Sequence, residues 1–228
     1  IIALLIYTTY PPPVHPQLPF AQAFGFFAAI TVLFAILNWI LFKRLEARIS
    51  DNQQNQPELA FESLIMRQCI LAIGLFAVHI YGLELSGHLH KIALIKNVPT
   101  LGAICFLAIF VGYLCIVWAL AHSVHEQLYR TGMPCTRYVL SHISFSIPVL
   151  LPWVFLSLGA DLIYVLPFEA PRAFLDSTAG QIIYFLVFLF AIAIFGPGLI
   201  QYFWGCKPLA RDEARARIED LCRRAGVS

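Results

Sequence analysis

The chain contains runs too long and too evenly apolar for the core of a water-soluble domain. Pro99–Ala121 holds 23 residues without one charged side chain, and Leu18–Phe42 and Gln181–Trp204 are equally uncharged over 25 and 24 residues. A helix rises about 1.5 Å per residue, so roughly 20 apolar residues cross the ~30 Å hydrocarbon layer of a bilayer. Backbone N–H and C=O groups find no water there, and only a helix pairs them within one segment. Two more segments reach that length: Leu64–Leu85, which carries Arg67 and His79, and Ile143–Leu166, which carries Pro148, Pro152 and Asp161. The prediction is an all-α, polytopic membrane helix bundle of about five transmembrane helices plus a C-terminal helix. Composition agrees, with 60% of residues hydrophobic and 12% charged, against about 25% charged in soluble domains.

The reading divides the chain into a Pro-rich extracytoplasmic piece (residues 1–17), the transmembrane bundle (18–204) and a cytoplasmic amphipathic helix (205–228). Ile1–Tyr7 is apolar but too short to span and resembles the tail of a helix, after which Pro11, Pro12 and Pro13 break any helix. The loop Asp51–Pro57 is polar and expected to be flexible. In the last span, Gly196, Pro197 and Gly198 predict a kink or an unwound turn, because proline removes a donor and glycine is permissive. In the tail, Pro208 suits a first helical turn, Arg223 and Arg224 a last turn, and Gly226 a cap, with Ile218, Leu221, Cys222 and Ala225 on one face. The chain opens on Ile1 and stops at Ser228 just past that cap, so a longer protein is expected.

Orientation follows from Lys and Arg. One side of the predicted topology carries Lys43, Arg44, Arg48, Arg67, Arg130, Arg137, Lys207, Arg211, Arg215, Arg217, Arg223 and Arg224, twelve in all; the other carries Lys91, Lys96 and Arg172. The excess of basic residues predicts which loops stay inside. The C-terminus is therefore expected in the cytoplasm, in a bacterial inner membrane, with the lipid bilayer as the first partner. A net charge of +2 gives no ground for a nucleic-acid partner. The six cysteines form no C-x-x-C pair and read as reduced.

Few residues invite chemistry. His122, His125 and Glu126 form H-x-x-H-E, which departs from the zincin H-E-x-x-H and from the inverzincin H-x-x-E-H. His122 and His125 are weak metal candidates without an evident third ligand, and His88 and His90 read as surface histidines. A haem would need two histidines at one depth; His122 with His142 is the pair nearest to that. Asp161 is costly inside a span, roughly 2.5–3.5 kcal/mol at mid-helix, and calls for a partner or a wet cavity. Helix rise puts it near the depth of His79, so an Asp161–His79 pair is expected, against simple reach to the headgroups. Arg67 is expected to snorkel to the cytoplasmic interface. No P-loop, dinucleotide fingerprint or G-x-S-x-G occurs, and no catalytic residue is assigned.

The tail reads Phe203-Trp-Gly-Cys-Lys-Pro-Leu and then Arg217-Ile-Glu-Asp-Leu-Cys-Arg-Arg-Ala-Gly-Val227. This resembles the juncture before the catalytic domain in HtpX-like integral-membrane zinc metallopeptidases (metallopeptidase family 48). Ser141-His142-Ile and Pro148-Val-Leu-Leu-Pro152-Trp153 also look like the membrane region of bacterial members. The resemblance covers mainly residues 135–227. It implies a hydrolase whose zinc, held by H-E-x-x-H and a downstream Glu, lies in a cytoplasmic domain following Ser228, with membrane-protein or peptide substrates. These 228 residues hold no H-E-x-x-H, so no catalytic residue carries over and zinc is expected only in that further domain. A non-enzymatic membrane subunit of a larger complex, with partner subunits, is the alternative. A small transporter using Asp161, His79 and a broken last helix is another, weakened by the lack of an internal repeat.

Overall fold

The computed structural model describes residues 2–10, 18–51, 56–89, 95, 97–206 and 213–224, and the regular structure among them is helical without a strand. In chain order the helices are α1 (Ile2–Thr9), α2 (Phe20–Ser50), α3 (Pro57–Ala77), α4 (Leu85–Leu89), α5 (Pro99–Tyr129), α6 (Cys135–Val165), α7 (Glu169–Asp176), α8 (Thr178–Phe203) and α9 (Glu213–Arg224). A π turn, Val78–Gly82, extends α3. Prolines set the starts of the long helices: Pro19 and Pro134 precede α2 and α6, while Pro57 and Pro99 occupy the first turns of α3 and α5. There the missing amide costs nothing, because the first N–H groups of a helix lack intrahelical acceptors anyway.

Four helices are long and apolar enough to cross a membrane, namely Phe20–Ser50, Pro57–Gly82, Pro99–Tyr129 and Thr178–Phe203, and α6 makes a fifth if its bent halves count as one span. The chain is an integral-membrane helical bundle. The helices outrun the apolar segments: α2, α5 and α6 have 31 residues each, about 46 Å at the α-helical rise. The surplus turns carry polar and charged residues, as in the Lys43–Ser50 end of α2.

The core lies where α2, α3 and α5 meet. Phe34, Phe42, Phe61, Tyr113, Val117 and Ala121 bury there, and Phe76, Ile80 and Phe106 continue it toward α1. Lipid is as apolar as these side chains, so close packing and interhelical hydrogen bonds hold such a bundle rather than exclusion from water. The helix α1 packs onto this core. Its Tyr7 packs on Phe106 with ring centroids 5.2 Å apart, and Tyr81 Oη donates to the Ile6 carbonyl at 3.2 Å. The cause is in its sequence: Ala3 and Leu4 bury, as an apolar stripe must.

The helices α6 and α8 form a flank. No residue in the most apolar stretch of α8 is buried, although its mean hydropathy is 2.5. Its tie to α6 is local. Tyr184 Oη donates to the Leu156 carbonyl at 2.6 Å over Gly159, where a Cβ would stand 2.6 Å from that oxygen. At the other end Phe145 stacks on Trp204 at 5.0 Å.

The expected break in α8 is corrected. The backbone stays helical through Gly196, Pro197 and Gly198 and ends at Phe203. The bend lies in α6 instead, 54° between Cys135–Pro148 and Leu150–Val165. Pro148 and Pro152 leave the Ser144 and Pro148 carbonyls without their amide donors on one face, so that face opens. Pro197 removes a single bond, to the Ala193 carbonyl, and its glycine neighbours relieve ring crowding. The triple proline at 11–13, loop residues 52–55, His90, Pro208 and the Gly226 cap lie outside the described residues.

Candidate functional site

The most organised polar group inside the bundle is His79, Tyr113 and Thr31, one from each core helix. His79 sits on the π turn and has no exposed surface; Tyr113 on α5 is 2% exposed. A π turn inserts an extra residue and re-aims a side chain, and such turns favour functional positions. Here it turns His79 toward Tyr113, Nε2 to Oη 2.5 Å, against the edge of Phe27 at 4.9 Å. Thr31 Oγ1 lies 2.7 Å from the same Tyr113 oxygen and donates to the Phe27 carbonyl at 2.8 Å. Assigning the Thr31 proton to the Phe27 carbonyl gives one self-consistent set of directions. In it, Tyr113 donates to Thr31. The Tyr113 oxygen then accepts from His79 Nε2–H, and the neutral imidazole keeps its lone pair on Nδ1, which is buried without a partner. One level toward the basic end, Asn38 on α2 and Gln68 on α3 bury their carboxamide oxygens in the same unpaired state, while Asn38 Nδ2 donates to the Phe34 carbonyl.

Asp161 and His79 do not pair. The Asp161 carboxylate accepts from the Thr100 backbone amide at 2.7 Å. That amide is in the first turn of α5, whose Val98 cap supplies no side-chain acceptor. Free amides and the positive end of the helix dipole both favour a carboxylate there. Asp161 therefore closes α5 from a neighbouring helix, which explains a charge inside an apolar run. The transport reading loses this pair, and the broken last helix with it.

The inner-face histidines gather around one ring. Tyr138 has His125 at 4.6 Å, His142 at 4.7 Å and His122 at 5.6 Å, and Trp118 stacks on His142 at 5.0 Å. His122 Nε2 donates to the Met133 carbonyl at 2.7 Å. Glu126 is taken up by the loop after α5, accepting from the Gly132 amide at 2.7 Å and from Thr131 Oγ1 at 2.8 Å. Among the described residues no three His, Cys, Asp or Glu side chains come together as a metal site. The weak metal candidates His122 and His125 thus belong to an aromatic cluster and a loop closure. Of the two histidines named for a haem, His122 has Nε2 on the loop carbonyl and His142 lies flat on Trp118. All six cysteines are free.

The sequence showed His79 but missed its partners. Tyr113, Thr31 and Asn38 stand as isolated polar groups in otherwise apolar spans, and only the packing of three helices shows that they share one interior. Compared with known proteins, the chain matches no family, no curated protein and no solved structure. The fold defines a class, an integral-membrane helical bundle with a buried polar group among its three core helices.

Proposed function

We propose that this chain is the membrane-anchoring domain of a cytoplasm-facing zinc metalloendopeptidase of the HtpX-like kind. The observation that carries the proposal is the tail. Arg217–Val227 resembles the juncture before the catalytic domain in that family, and its described part lies on a helix, Glu213–Arg224, a few residues after the last span. The stacking of Trp204 on Phe145 supports it, because α6 starts next to the end of α5, at the basic end. No three candidate ligands converge among the described residues, so no catalytic step is assigned to them. The metal would supply carbonyl polarisation and water activation in a domain beyond residue 228. The role of the bundle is to hold that domain against the membrane.

The natural reading frame past codon 228 tests this first. An H-E-x-x-H within it, zinc bound one per full chain, and casein cleavage lost on chelation and in the variant with Gln for the motif Glu are expected. A frame without that motif overturns the proposal and leaves the non-enzymatic subunit.

A further inference from the structure

At the basic end, α2 and α3 line a cleft of about 330 Å³, with Leu41, Arg44, Arg48, Ser63, Leu64 and Arg67 among its walls. Arg44 and Arg48 are four apart on α2, as are Ser63 and Arg67 on α3, so each pair shares one helix face. Ala60 and Ser63 are small, which leaves the opening between the helices. None of the three arginines has an ion pair or side-chain hydrogen bond among the described residues; the nearby Glu46 is held by Lys43 at 2.8 Å and by Ser123 at 3.2 Å. Three unneutralised guanidiniums therefore line one cleft at the hydrocarbon edge.

We propose that this cleft binds the phosphate of an anionic phospholipid headgroup. Guanidinium groups match phosphate oxygens in geometry as well as charge. The depth of the site selects a lipid over a dissolved anion. Arg48 is two residues from the end of α2, but Arg67 is ten residues into α3, about 15 Å along its axis. A ligand that meets all three must lie at membrane level. The floor is apolar, Leu41 and Leu64, and Met66 and Ile70 stay exposed on α3 beside the site, where acyl chains would run. Basic clefts between helices on the inner side suit anionic headgroups. This reading does not depend on what the tail carries.

The test is native mass spectrometry of the full natural chain in detergent. It is titrated with phosphatidylglycerol or with phosphatidylcholine of the same acyl chains. Wild type should retain phosphatidylglycerol preferentially. R44Q/R48Q/R67Q should bind it on the order of 100-fold more weakly, from about fivefold per basic residue, while R130Q/R137Q/R172Q stays at wild type. R67Q alone, which removes one of the three guanidiniums lining the cleft, should bind phosphatidylglycerol about fivefold more weakly and serves if the triple variant does not fold; wild-type affinity in R67Q then overturns the proposal. Equal retention of both lipids by wild type, or wild-type affinity in the glutamine variant, overturns the proposal. Displacement of the lipid by millimolar inorganic phosphate overturns the lipid assignment in favour of a soluble phosphate ligand.

Discussion

Replacing Tyr113 by Phe removes one oxygen and disturbs three helices. That oxygen accepts from His79 Nε2–H and its proton goes to Thr31 Oγ1, at 2.5 and 2.7 Å. Interhelical hydrogen bonds in membranes average about 0.6 kcal/mol and reach about 1.7. The Thr31 bond falls near that average, because Thr31 keeps its own donor bond to Phe27. The His79 bond is worth more, because its loss leaves a second ring nitrogen unpaired on a side chain whose Nδ1 already lacks a partner, and an orphaned buried donor costs about 1–3 kcal/mol. The expected loss is roughly 2 kcal/mol, about 30-fold in the unfolding equilibrium. His79→Leu should cost much less, since Tyr113 still donates to Thr31 and the unpaired Nδ1 is removed. The double variant Tyr113→Phe/His79→Leu should then be more stable than the sum of the single losses predicts. Reversible unfolding in mixed micelles with sodium dodecyl sulfate, followed by tryptophan fluorescence, measures all three. Additivity within about 0.5 kcal/mol would refute the network, as would a Tyr113→Phe variant as stable as the parent.

Four further outcomes are expected. Asp161→Ala should destabilise by about 1–2 kcal/mol by uncapping α5, and Asp161→Asn by less, since an amide oxygen still accepts from Thr100; the same unfolding assay reads both. Gly180→Ala should be severely destabilising, by about 3 kcal/mol or more, because its Cβ would stand 1.7 Å from the Phe174 carbonyl oxygen; a wild-type midpoint would contradict this. Pro148→Ala should restore the hydrogen bond from the residue 148 N–H to the Ser144 carbonyl and reduce the 54° bend of α6, read as a longer spin-label distance between its two ends. A phosphatase fused after Arg217 should be inactive and a fluorescent protein fused there bright, whereas the reverse pattern would invert the topology drawn from Lys and Arg.

The fold was legible because its strongest determinant is local. Uncharged runs of helical length leave one backbone solution in lipid, and the span read from Pro99 starts where α5 does. Helix ends were less legible. Apolarity locates the lipid-facing stretch, but α2 continues from Phe42 to Ser50 because its polar end is tied to α5, with Gln127 Nε2 donating to Ser50 Oγ at 2.8 Å. The partner of Asp161 was hidden for a different reason. Depth along a helix gives one coordinate of three, so it could match Asp161 to the level of His79 but not to its direction. The π turn aims His79 into the α2–α3–α5 interior, whereas α6 lies on the far side of α5. Likewise Pro197 was overread: a proline shows which bond is lost, while the neighbours decide whether the helix gives way.

The division between core and flank bears on what the membrane part can transmit. The helices α2, α3 and α5 share buried aromatic rings and a chain of hydrogen bonds, so displacing one disturbs all three. Among the described residues the last span is tied to α6 through Tyr184 and Trp204, and the residues of its most apolar stretch are unburied. The α6 helix is bent by 54° between those two contacts, so a change in the bend moves the Trp204 end of α8 against its Tyr184 end. The tail helix follows that Trp204 end, with Ile218 and Leu221 uncovered at 50% and 63% exposure. Straightening α6 with Pro148→Ala should therefore shift a label on α9 relative to one on α2, with the distances among α2, α3 and α5 unchanged. Equal shifts in both sets would mean that the bundle moves as one body and that the flank has no separate freedom.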